Sequence, residues 1–464
     1  MKLYNTLGRE IQDLVPLEPG HVRMYTCGPT VYNVAHIGNL RTFVFEDVLR
    51  RSLLASGLRV TQVMNLTDVD DKTIRGAAAE GLSLGDFTEK YAKEFFRDLG
   101  ILNVQPAEHY PRATDFVPEM IALIQQLRDR GHTYESDGTV WFRIATFKDY
   151  GKLSRIDLTA MRRGDRVADD EYEKEDVKDF ALWKAVKPGE PSWPSPFGEG
   201  RPGWHIECSA MSMKFLGSRF DIHTGAVDNI FPHHENEIAQ SEGATGQPFV
   251  NMWLHSEHLI VDGEKMSKSK GNFYTLAEVL ARRDDAAALR YLFLSVPYRK
   301  KLNFTWEGLT GAATAVERIR SAAVRLSEVA SSGSSRAAAF DAASRVPLFL
   351  GAFQGALEDD LNTPEALGAL FPFLREVNAA IDENELDPAG AQAAASALAT
   401  ADRVLGILPA RQEVLPAEIE GQIEARNAAR KRRDFAEADR IRRELSEQGI
   451  VLEDGLGGTR WKKG

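Results

Sequence analysis

Apolar β-prone runs alternate with helical stretches over residues 1–115, a pattern typical of a parallel-sheet α/β domain. Residues 59–66 form one such run. The helix before it can end at Gly57 and has its apolar positions at Leu40, Phe43, Val44 and Val48. Short strands and helices resume over residues 203–262, and we expect the two parts to complete one sheet.

Residues 116–200 separate these two parts and have the character of an insertion. They contain a helix over 117–130, a hairpin-like turn at 136–138, a strand over 139–144, an acidic stretch at 165–179 and a proline-rich stretch at 188–202. Charge runs of this kind are usually solvated loops, so we assign no chemistry to them.

Helical periodicity takes over in the last third of the chain. The first helix there has an amphipathic stripe at Leu309, Ala312, Val316, Ile319, Ala323 and Leu326. A second helix is predicted to be capped by Thr363, with Pro364 at its first position and a kink at Pro372. An alanine-rich helix runs through Leu405, and residues 409–416 form a proline-bounded hinge. We therefore expect an antiparallel bundle followed by a small terminal unit.

Composition indicates an ordinary globular protein of about two to four domains. Of the 464 residues, 43% are hydrophobic and 27% are charged. No apolar run approaches about 18 residues, and the N-terminus has no uninterrupted apolar segment. We expect neither a membrane span nor a secretory signal, which leaves the cytoplasm as the default location. The net charge of −11 argues against nucleic-acid binding, although a bulk charge can conceal a local basic patch.

The sequence contains two cysteines, Cys27 and Cys208. A disulfide between them is possible in principle. Two cysteines in motif contexts of a cytosolic enzyme more often serve as metal ligands or as thiols.

Near the second cysteine, Pro232 can start a helix that places His233 and Glu237 on one face, with His234 and Glu235 pointing elsewhere. Two thiolates, one imidazole and one carboxylate would suit a tetrahedral Zn²⁺ site. A His-x-x-x-Glu pair on a helix is also commonly a surface pair, so the residues alone leave both interpretations open.

The stretch 25–47 combines a strand end, a turn-rich loop and the start of a helix. The tetrad His36-Ile37-Gly38-Asn39 leads into that helix, which Asn39 can cap. Gly38 would let a ligand approach the free N–H groups of the helix N-terminus, which favour a phosphate. Most Gly-Asn pairs before a helix are only caps, and that alternative stays open.

This tetrad and the segment Lys265-Met266-Ser267-Lys268-Ser269 resemble the two ATP-binding signatures of class I aminoacyl-tRNA synthetases. Further motifs are similar to those of the cysteinyl-tRNA synthetase family. They are Cys-Gly-Pro-Thr-Val-Tyr at 27–32, Asn-Leu-Thr-Asp-Val-Asp-Asp-Lys at 65–72, Gly-Trp-His-Ile-Glu-Cys-Ser at 203–209, Phe-Pro-His-His-Glu-Asn-Glu at 231–237, and C-terminal matches at 449–454 and 458–461. The resemblance runs from residue 1 to the C-terminus.

The resemblance implies a Rossmann-type α/β catalytic domain with a connective insertion, followed by an α-helical bundle and a small C-terminal α+β anticodon-binding unit. The implied boundaries are 1–115 and 201–264 for the two halves of the catalytic domain, 116–200 for the insertion, 265–308 for the second signature loop and stem-contact region, 309–408 for the bundle, and 409–464 for the terminal unit.

The implied reaction is the ATP-dependent activation of L-cysteine to cysteinyl-adenylate and its transfer to the terminal adenosine of tRNA(Cys), with Mg²⁺ accompanying ATP. The implied ATP-binding residues are His36, Gly38, Asn39, Lys265 and Lys268, and all but Gly38 are also implied to be catalytic. Asn39 stands where the family commonly has His, so we expect weaker electrostatic stabilisation there but retained activity. The resemblance further implies a monomer.

The resemblance also selects Cys27, Cys208, His233 and Glu237 as ligands of one Zn²⁺ per chain. A soft metal binds a substrate thiolate far better than a serine hydroxyl, so a zinc–thiolate bond would select cysteine where an apolar pocket could not. Thr67, Trp204 and His205 match positions that line the amino-acid pocket, although Trp204 can equally be a core aromatic.

Residues 426–443 carry eight Arg and Lys side chains against three carboxylates, a local excess of five positive charges. A basic helical face would suit RNA phosphates, and by resemblance the terminal unit binds the anticodon, with Trp461 available for stacking. The alternative is a solvated helix whose charges pair with one another.

Two other functions remain to be weighed. A ligase that joins activated cysteine to an amino-sugar would share the metal site and both ATP signatures, but it would not require the basic C-terminal extension. A non-catalytic RNA-binding relative is disfavoured because His36, Gly38, Lys265 and Lys268 are all present.

Overall fold

The computed structural model describes residues 1–156, 179–267, 270–332, 338–408, 417–432, 434–448, 450–455 and 458–463. The chain divides into two units, Met1–Ile407 and Leu408–Gly464.

The first unit contains short and long elements of both kinds. Its strands are β1 (Lys2–Asn5), β2 (Glu10–Asp13), β3 (His21–Thr26), β4 (Arg59–Met64), β5 (Thr133–Ser136), β6 (Thr139–Phe142), β7 (Phe180–Ala185), β8 (Gly200–Pro202), β9 (Phe220–Ala226), β10 (Val250–Ser256), β11 (Leu259–Val261), β12 (Glu264–Lys265) and β13 (Leu302–Phe304). Its helices are α1 (Ile37–Ala55), α2 (Asp71–Glu80), α3 (Leu84–Ile101), α4 (Val117–Asp129), α5 (Trp204–Leu216), α6 (Val227–Asn229), α7 (Glu235–Thr245), α8 (Leu276–Arg282), α9 (Ala286–Leu294), α10 (Trp306–Ser331), α11 (Ala342–Glu358), α12 (Thr363–Asp382) and α13 (Pro388–Leu405).

A parallel sheet with the strand order β10-β9-β3-β4 forms the centre of this unit. Two strands precede the insertion and two follow it, which confirms the prediction that the separated parts complete one sheet. Because parallel strands end at the same edge, the loops after Thr26, Met64, Ala226 and Ser256 meet there.

The insertion carries an antiparallel sheet with the order β5-β6-β7-β8. The predicted hairpin is confirmed, with Asp137 and Gly138 at positive φ between β5 and β6. Most of the acidic stretch lies outside the described residues. Asp179 is the exception, and the solvated-loop interpretation is wrong for it. This carboxylate is buried and accepts hydrogen bonds from the Tyr134 hydroxyl at 3.0 Å and the Ile144 N–H at 2.9 Å, which offset its removal from water.

A small sheet with the order β12-β11-β13 follows the parallel sheet in the chain. Strand β11 runs parallel to β13 and antiparallel to β12. Strand β12 ends at Lys265, so this sheet is the support from which the second signature loop departs. The helix after that loop is α8, and the Thr275 hydroxyl caps it by accepting from the N–H of Glu278 at 3.3 Å.

The predicted helical region is present as α10–α13, with two corrections. On α10, Ala322 is buried in place of Ala323, while the other predicted positions of the stripe are buried. The cap of α12 is Asn362 and not Thr363, because the Asn362 side chain accepts from the N–H of Glu365. Pro372 lies inside α12.

Helix α11 was not predicted at all. Its buried residues are Phe349, Phe353, Ala356 and Leu357, none of them in its first two turns. Pro347 lies within its N-terminal half and Leu348 is exposed, so neither residue marks a buried helix in the sequence.

Helix α1 is joined to the end of α13 by a buried charged cluster. The Asp47 carboxylate accepts hydrogen bonds from Arg51 at 2.7 Å and from Arg290 at 2.5 Å. Arg290 also donates to the carbonyl oxygens of Leu405 at 2.6 Å and Leu102 at 3.0 Å. Both guanidinium groups thereby satisfy backbone carbonyls that would otherwise be buried without partners.

The second unit contains α14 (Ala417–Lys431), α15 (Phe435–Glu447), β14 (Ile450–Gly455) and β15 (Gly458–Lys463). The two strands form an antiparallel pair. Ile441 and Leu445 of α15 pack with Ile450 and Leu452 of β14 in a small buried cluster. The predicted α+β terminal unit is therefore confirmed, while the predicted hinge at 409–416 lies outside the described residues.

Within the described parts of the chain, every helix is too short or too polar to cross a lipid bilayer.

The leucines of α1 provide a test of the described core. Leu49 is fully buried against the parallel sheet, whereas Leu54 on the same helix is 40% exposed. We expect Leu49→Ala to lower the free energy of unfolding by about 2–5 kcal/mol, because the cavity is only partly refilled. Urea unfolding measures the loss, and Leu54→Ala is the matched control with little expected effect. Equal losses for the two variants would contradict the placement of α1.

Candidate functional site

The first signature forms the entry to α1, with a cap that differs from the prediction. His36 and not Asn39 is the N-cap. The Nδ1 of His36 accepts from the N–H of Asn39 at 3.1 Å, and the Asn39 side-chain oxygen accepts from the N–H of His36 at 3.3 Å. Asn39 thus has the reciprocal role of the third helical residue in a capping box.

This cap also fixes the chemistry of both side chains. Because Nδ1 of His36 accepts a hydrogen bond, Nε2 carries the proton of the neutral ring. Burial lowers the pKa of His36, which keeps the ring neutral near pH 7. Asn39 is exposed, and its amide NH₂ group is left to donate. The helix entry therefore presents two uncharged side-chain donors.

The second signature lies directly against the first. The N–H of Ile37 donates to the carbonyl oxygen of Tyr274 at 2.9 Å, and the His36 ring packs edge-on against Phe273. A Cβ at Gly38 would lie 2.7 Å from the Met266 methyl group, so the glycine lets these segments approach closely. Lys265 is exposed at the end of β12. Lys268, the other predicted lysine, lies outside the described residues.

A metal-ligand cluster forms at the carboxyl edge of the parallel sheet. Cys27 follows β3, Cys208 lies on α5, His233 lies in the turn just before α7, and Glu237 lies in the first turn of α7. The four donor atoms lie within 4.8 Å of one another, and all four residues are buried. The Nε2 of His233 is 3.1 Å from a Glu237 carboxylate oxygen. Tetrahedral zinc bonds would place the donor atoms about 3.3–3.8 Å apart, so this cluster fits such an ion with small adjustments.

The sequence predicted that His234 points away from the candidate metal ligands, but in the structure it lies among them. Its Nε2 lies 3.2 Å from the Cys27 sulfur, and His234 forms a second candidate donor group with Cys27, His223 and Glu237. The prediction is wrong because His234 precedes Glu237 by three residues and His233 precedes it by four, and both spacings place a side chain on the same helix face; Nε2 of His234 lies 4.0 Å from a Glu237 carboxylate oxygen. Helical spacing therefore does not separate the two histidines. Glu235 does point elsewhere, since its carboxylate accepts from the N–H groups of residues 151, 153 and 154.

A second layer of side chains orients the cluster. The Nε2 of His223 lies 2.9 Å from the Glu237 carboxylate, and Nδ1 of His234 lies 2.8 Å from Nε2 of His255. A Cβ at position 225 would lie 2.8 Å from the His234 ring, so Gly225 makes room for it. Such outer contacts fix the ring orientations and tautomers of potential ligands. Sequence reasoning missed His223 and His255, because they lie on the separate strands β9 and β10 with no local spacing that links them to the predicted ligands.

The electrostatics of the cluster favour a cation. Burial, together with the hydrogen bond to Cys208 and the charges of Cys208 and Glu237, raises the pKa of the Cys27 thiol. Burial lowers the pKa of His233 to about 3, so its ring is neutral. Acidic donors crowded in a dry site repel one another once ionised, and a bound cation reverses that penalty. The donor chemistry of the site therefore fits a metal ion.

The three residues predicted to line the amino-acid pocket, Thr67, Trp204 and His205, have different surroundings. Trp204 stacks on His233 with a ring separation of 4.3 Å, and Nδ1 of His205 lies 2.9 Å from Nδ1 of His233. Thr67 is buried beside the loop after β3, and its hydroxyl donates to Glu207 at 3.0 Å. Trp204 and His205 thus contact His233 of the candidate cluster directly, whereas Thr67 contacts Glu207; of the three, Trp204 lines the adjoining cavity.

One cavity of about 590 Å³ joins the cluster to the first signature. It is lined by Cys27, the loop 28–35, His36, Asn39, Thr42, Phe43, Tyr91, Phe95, Trp204, Ala226, Asn229 and Phe273. A substrate in this cavity could contact the thiol cluster at one end and the helix entry at the other. The aromatic walls, Tyr91, Phe95 and Phe273, were not predicted, since lone aromatic residues in a sequence do not distinguish a core from a pocket.

In the second unit, the charged residues only partly support a free basic face. Arg440 pairs with Glu437 at 2.6 Å and with Glu444 at 2.5 Å, which are the internal pairs of the alternative interpretation. Arg426 is buried, while Arg432 and Arg443 are exposed. The side chain of Trp461 lies outside the described parts.

Comparisons with known proteins cover the chain almost from end to end. The family model for the class I (C) tRNA synthetase catalytic domain matches residues 13–314. A DALR domain model matches residues 352–409, and the model of the cysteinyl-tRNA ligase anticodon binding domain matches residues 412–461. A cysteine–tRNA ligase of Solibacter usitatus is 49% identical over 467 aligned positions, which cover 100% of this chain and 99% of the relative. The chain belongs to the cysteine–tRNA ligase family.

Other relatives agree with this assignment. A cysteine–tRNA ligase of Leptospira interrogans is 47% identical, with 100% of this chain and 99% of the relative covered. Among solved structures, a methionyl-tRNA synthetase of Mycobacterium tuberculosis in complex with methionyl-adenylate superposes with a TM-score of 0.60 at 16% identity, covering 83% of this chain and 90% of that one. A leucyl enzyme of Agrobacterium radiobacter in a ternary complex with tRNA gives a TM-score of 0.61 at 11% identity, covering 85% and 84%. These structures support the class I fold of the cysteine–tRNA ligase family.

The cysteines of this family member allow a direct test of the buried cluster. Both are free thiols, and they are 8% and 1% exposed. We expect neither Cys27 nor Cys208 to react quickly with a thiol-specific dye at pH 7, because burial excludes the reagent and the raised pKa of Cys27 keeps its thiolate scarce. Unfolding in the presence of a chelator should release both thiols. A rapidly reacting thiol in the native protein would contradict the burial of the two cysteines. The absence of reactive thiols after unfolding without reductant would contradict their being free thiols.

Proposed function

We propose that this chain is a cysteine–tRNA ligase that activates L-cysteine with ATP and transfers the cysteinyl group to the 3′-terminal adenosine of tRNA(Cys). The observation that carries the proposal is the cavity with the thiol cluster at one end and the first ATP signature at the other. Aminoacylation as such rests on the full-length family membership. The amino-sugar ligase is not favoured, since the match extends through the anticodon-binding domain.

The first step joins the carboxylate of cysteine to the α-phosphate of ATP, and pyrophosphate leaves. Positioning and charge stabilisation supply the rate, because the enzyme forms no covalent bond itself. The neutral His36 would donate through Nε2 to a phosphate oxygen, and Asn39 would donate through its amide group. Gly38 would let the phosphates approach the helix N-terminus.

Lys265 and Lys268 would neutralise the pyrophosphate as negative charge develops on it. The contacts of residues 273 and 274 with the first signature support this arrangement, because they hold the end of the second signature loop against the helix entry. Mg²⁺ would enter with ATP and bind its phosphate oxygens.

Cys27, Cys208, His233 and Glu237 would hold one Zn²⁺. This set supplies two sulfur donors, whereas the group with His223 and His234 supplies one, and thiolates are strong zinc ligands. The two groups share Cys27 and Glu237, which favours a single ion per chain. When bound, zinc would supply a soft Lewis acid that distinguishes the thiolate of cysteine from the hydroxyl of serine. Trp204 and His205 would hold the side chain of the substrate against the cluster, and Thr67 would support the amino-acid pocket from behind.

Transfer would follow in the same cavity, where a ribose hydroxyl of the terminal adenosine captures the adenylate. The bundle would contact the tRNA stem and residues 409–464 would bind the anticodon. We also propose that the enzyme acts as a monomer in the cytoplasm, where the reaction supplies protein synthesis.

Labelled cysteine, ATP and total tRNA test the proposed reaction. We expect charged tRNA together with cysteine-dependent ATP–pyrophosphate exchange, and no exchange above background when serine replaces cysteine. Exchange without charging would show that the adenylate goes to another acceptor. The absence of both activities in folded, zinc-loaded protein would overturn the proposed function.

Neighbouring histidines provide a matched test of the zinc ligands. We expect His233→Ala to lose bound zinc, measured by atomic emission, because one of four ligands is removed. His234→Ala should retain the ion, since His234 belongs only to the other donor group. Loss of zinc in His234→Ala and retention in His233→Ala would instead assign the ion to the group that contains His223.

A further inference from the structure

Arg41 is a buried cation on α1, five residues after His36. Its side chain is almost inaccessible, and its guanidinium donates to four backbone carbonyl oxygens. One terminal nitrogen donates to Glu257 at 2.6 Å and His258 at 2.8 Å. The other donates to Pro297 at 3.3 Å and Lys300 at 2.6 Å. A single side chain of α1 is therefore hydrogen-bonded to two separate loops.

Both loops lead into the small sheet that carries the second signature. Residues 257–258 join β10 to β11, and residues 295–301 join α9 to β13. Strand β11 pairs with β13 on one side and with β12 on the other, and β12 ends at Lys265. Arg41 consequently fixes the entry of two adjacent strands, and through them the point from which the second signature loop departs.

The chemistry of these contacts is specific to a guanidinium group. The planar fork presents N–H groups in two directions at fixed angles, which suits acceptors on two loops. The ammonium group of lysine is a single point charge on a flexible stem and cannot serve both loops in the same geometry. A carbonyl that loses its buried donor is also left unsatisfied, so the loops would move to find other partners.

Contacts nearer the cavity depend on the same alignment. The Met266 methyl group lies against Gly38, and residues 273 and 274 contact residues 36 and 37. These contacts join the two signatures at the nucleotide end of the cavity, whereas the metal cluster lies at its other end and shares no hydrogen bond with Arg41 among those described.

We propose that Arg41 is a positioning residue for ATP, which sets the second signature loop at the correct distance from the helix entry. This inference rests on the proposed function and deepens it, because it separates alignment of the nucleotide from recognition of cysteine. It assigns no contact between Arg41 and substrate.

The test compares Arg41→Lys with Arg290→Lys. Arg290 is also a buried arginine, and it donates to Asp47 of α1. Its other hydrogen bonds go to the backbone carbonyl oxygens of residues 102, 103 and 405, which lie outside the small sheet. The readouts are the KM for ATP and the KM for cysteine in pyrophosphate exchange, with bound zinc as a further measurement. For Arg41→Lys we expect kcat/KM for ATP to fall by about ten- to a hundredfold, from misplacement of the loop, with the KM for cysteine and the zinc content unchanged. Arg290→Lys should leave the ratio of the two KM values as in the parent enzyme.

Each outcome decides between alignment and general packing. Equal effects of the two variants on ATP, or an equal rise in both KM values for Arg41→Lys, would overturn the inference. Unchanged kinetics in Arg41→Lys would overturn it as well. If Arg41→Lys does not fold, Arg41→Gln keeps a planar donor group and should show the same selective loss for ATP. Absence of exchange in the parent enzyme would be a failure of the proposed function itself, which the variants do not affect.

Discussion

Two thiols and a carboxylate share one buried space at the carboxyl edge of the parallel sheet, and much of the surrounding structure is arranged around that constraint. Ionised groups in such a space lack water and repel one another, which is why the pKa of the Cys27 thiol is raised. A bound cation converts this unfavourable arrangement into a favourable one. The residues come from the loop after β3, from α5 and from α7, so both parts of the parallel-sheet domain are needed to assemble them.

The lack of water in this buried space also explains why the histidines around the cluster are neutral. Burial keeps the rings of His233 and His255 neutral, with the pKa of each lowered to about 3. A neutral imidazole can accept at one nitrogen and donate at the other, and it can therefore link a ligand to a second side chain without burying another charge. The His234–His255 contact at 2.8 Å is of this kind, and it continues from His255 to the Thr6 hydroxyl at 2.8 Å.

Helix α1 connects several parts of the candidate site. Its N-terminus presents the cap formed by His36 and Asn39, its second turn carries Arg41, and its centre carries the Asp47 cluster. Each feature lies on a different side of the helix or at a different height along it. A single rigid element can therefore hold several loops in register, which loops alone could not do.

The sequence by itself determined the identity of the chemistry. The spacing of apolar residues predicted the two parts of the sheet and most helices, and the separated motifs named the family together with its candidate ligands and ATP residues. Local patterns were sufficient because helix periodicity, strand runs and signature loops are all encoded over short distances. For the basic C-terminal helix, the sequence left open a solvated helix with internally paired charges, and the ion pairs of Arg440 with Glu437 and Glu444 are of that kind.

Tertiary structure alone decided what depends on contacts between distant residues. The sequence favoured His233 over His234 as a ligand, but the fold brings Cys27 against both. The buried role of Asp179, the carbonyls gripped by Arg41 and the aromatic cavity walls likewise arise from segments far apart in the chain. Their physical cause is desolvation, since a polar group acquires its partners only once packing has removed water from it, and no local pattern records which distant segment will supply them.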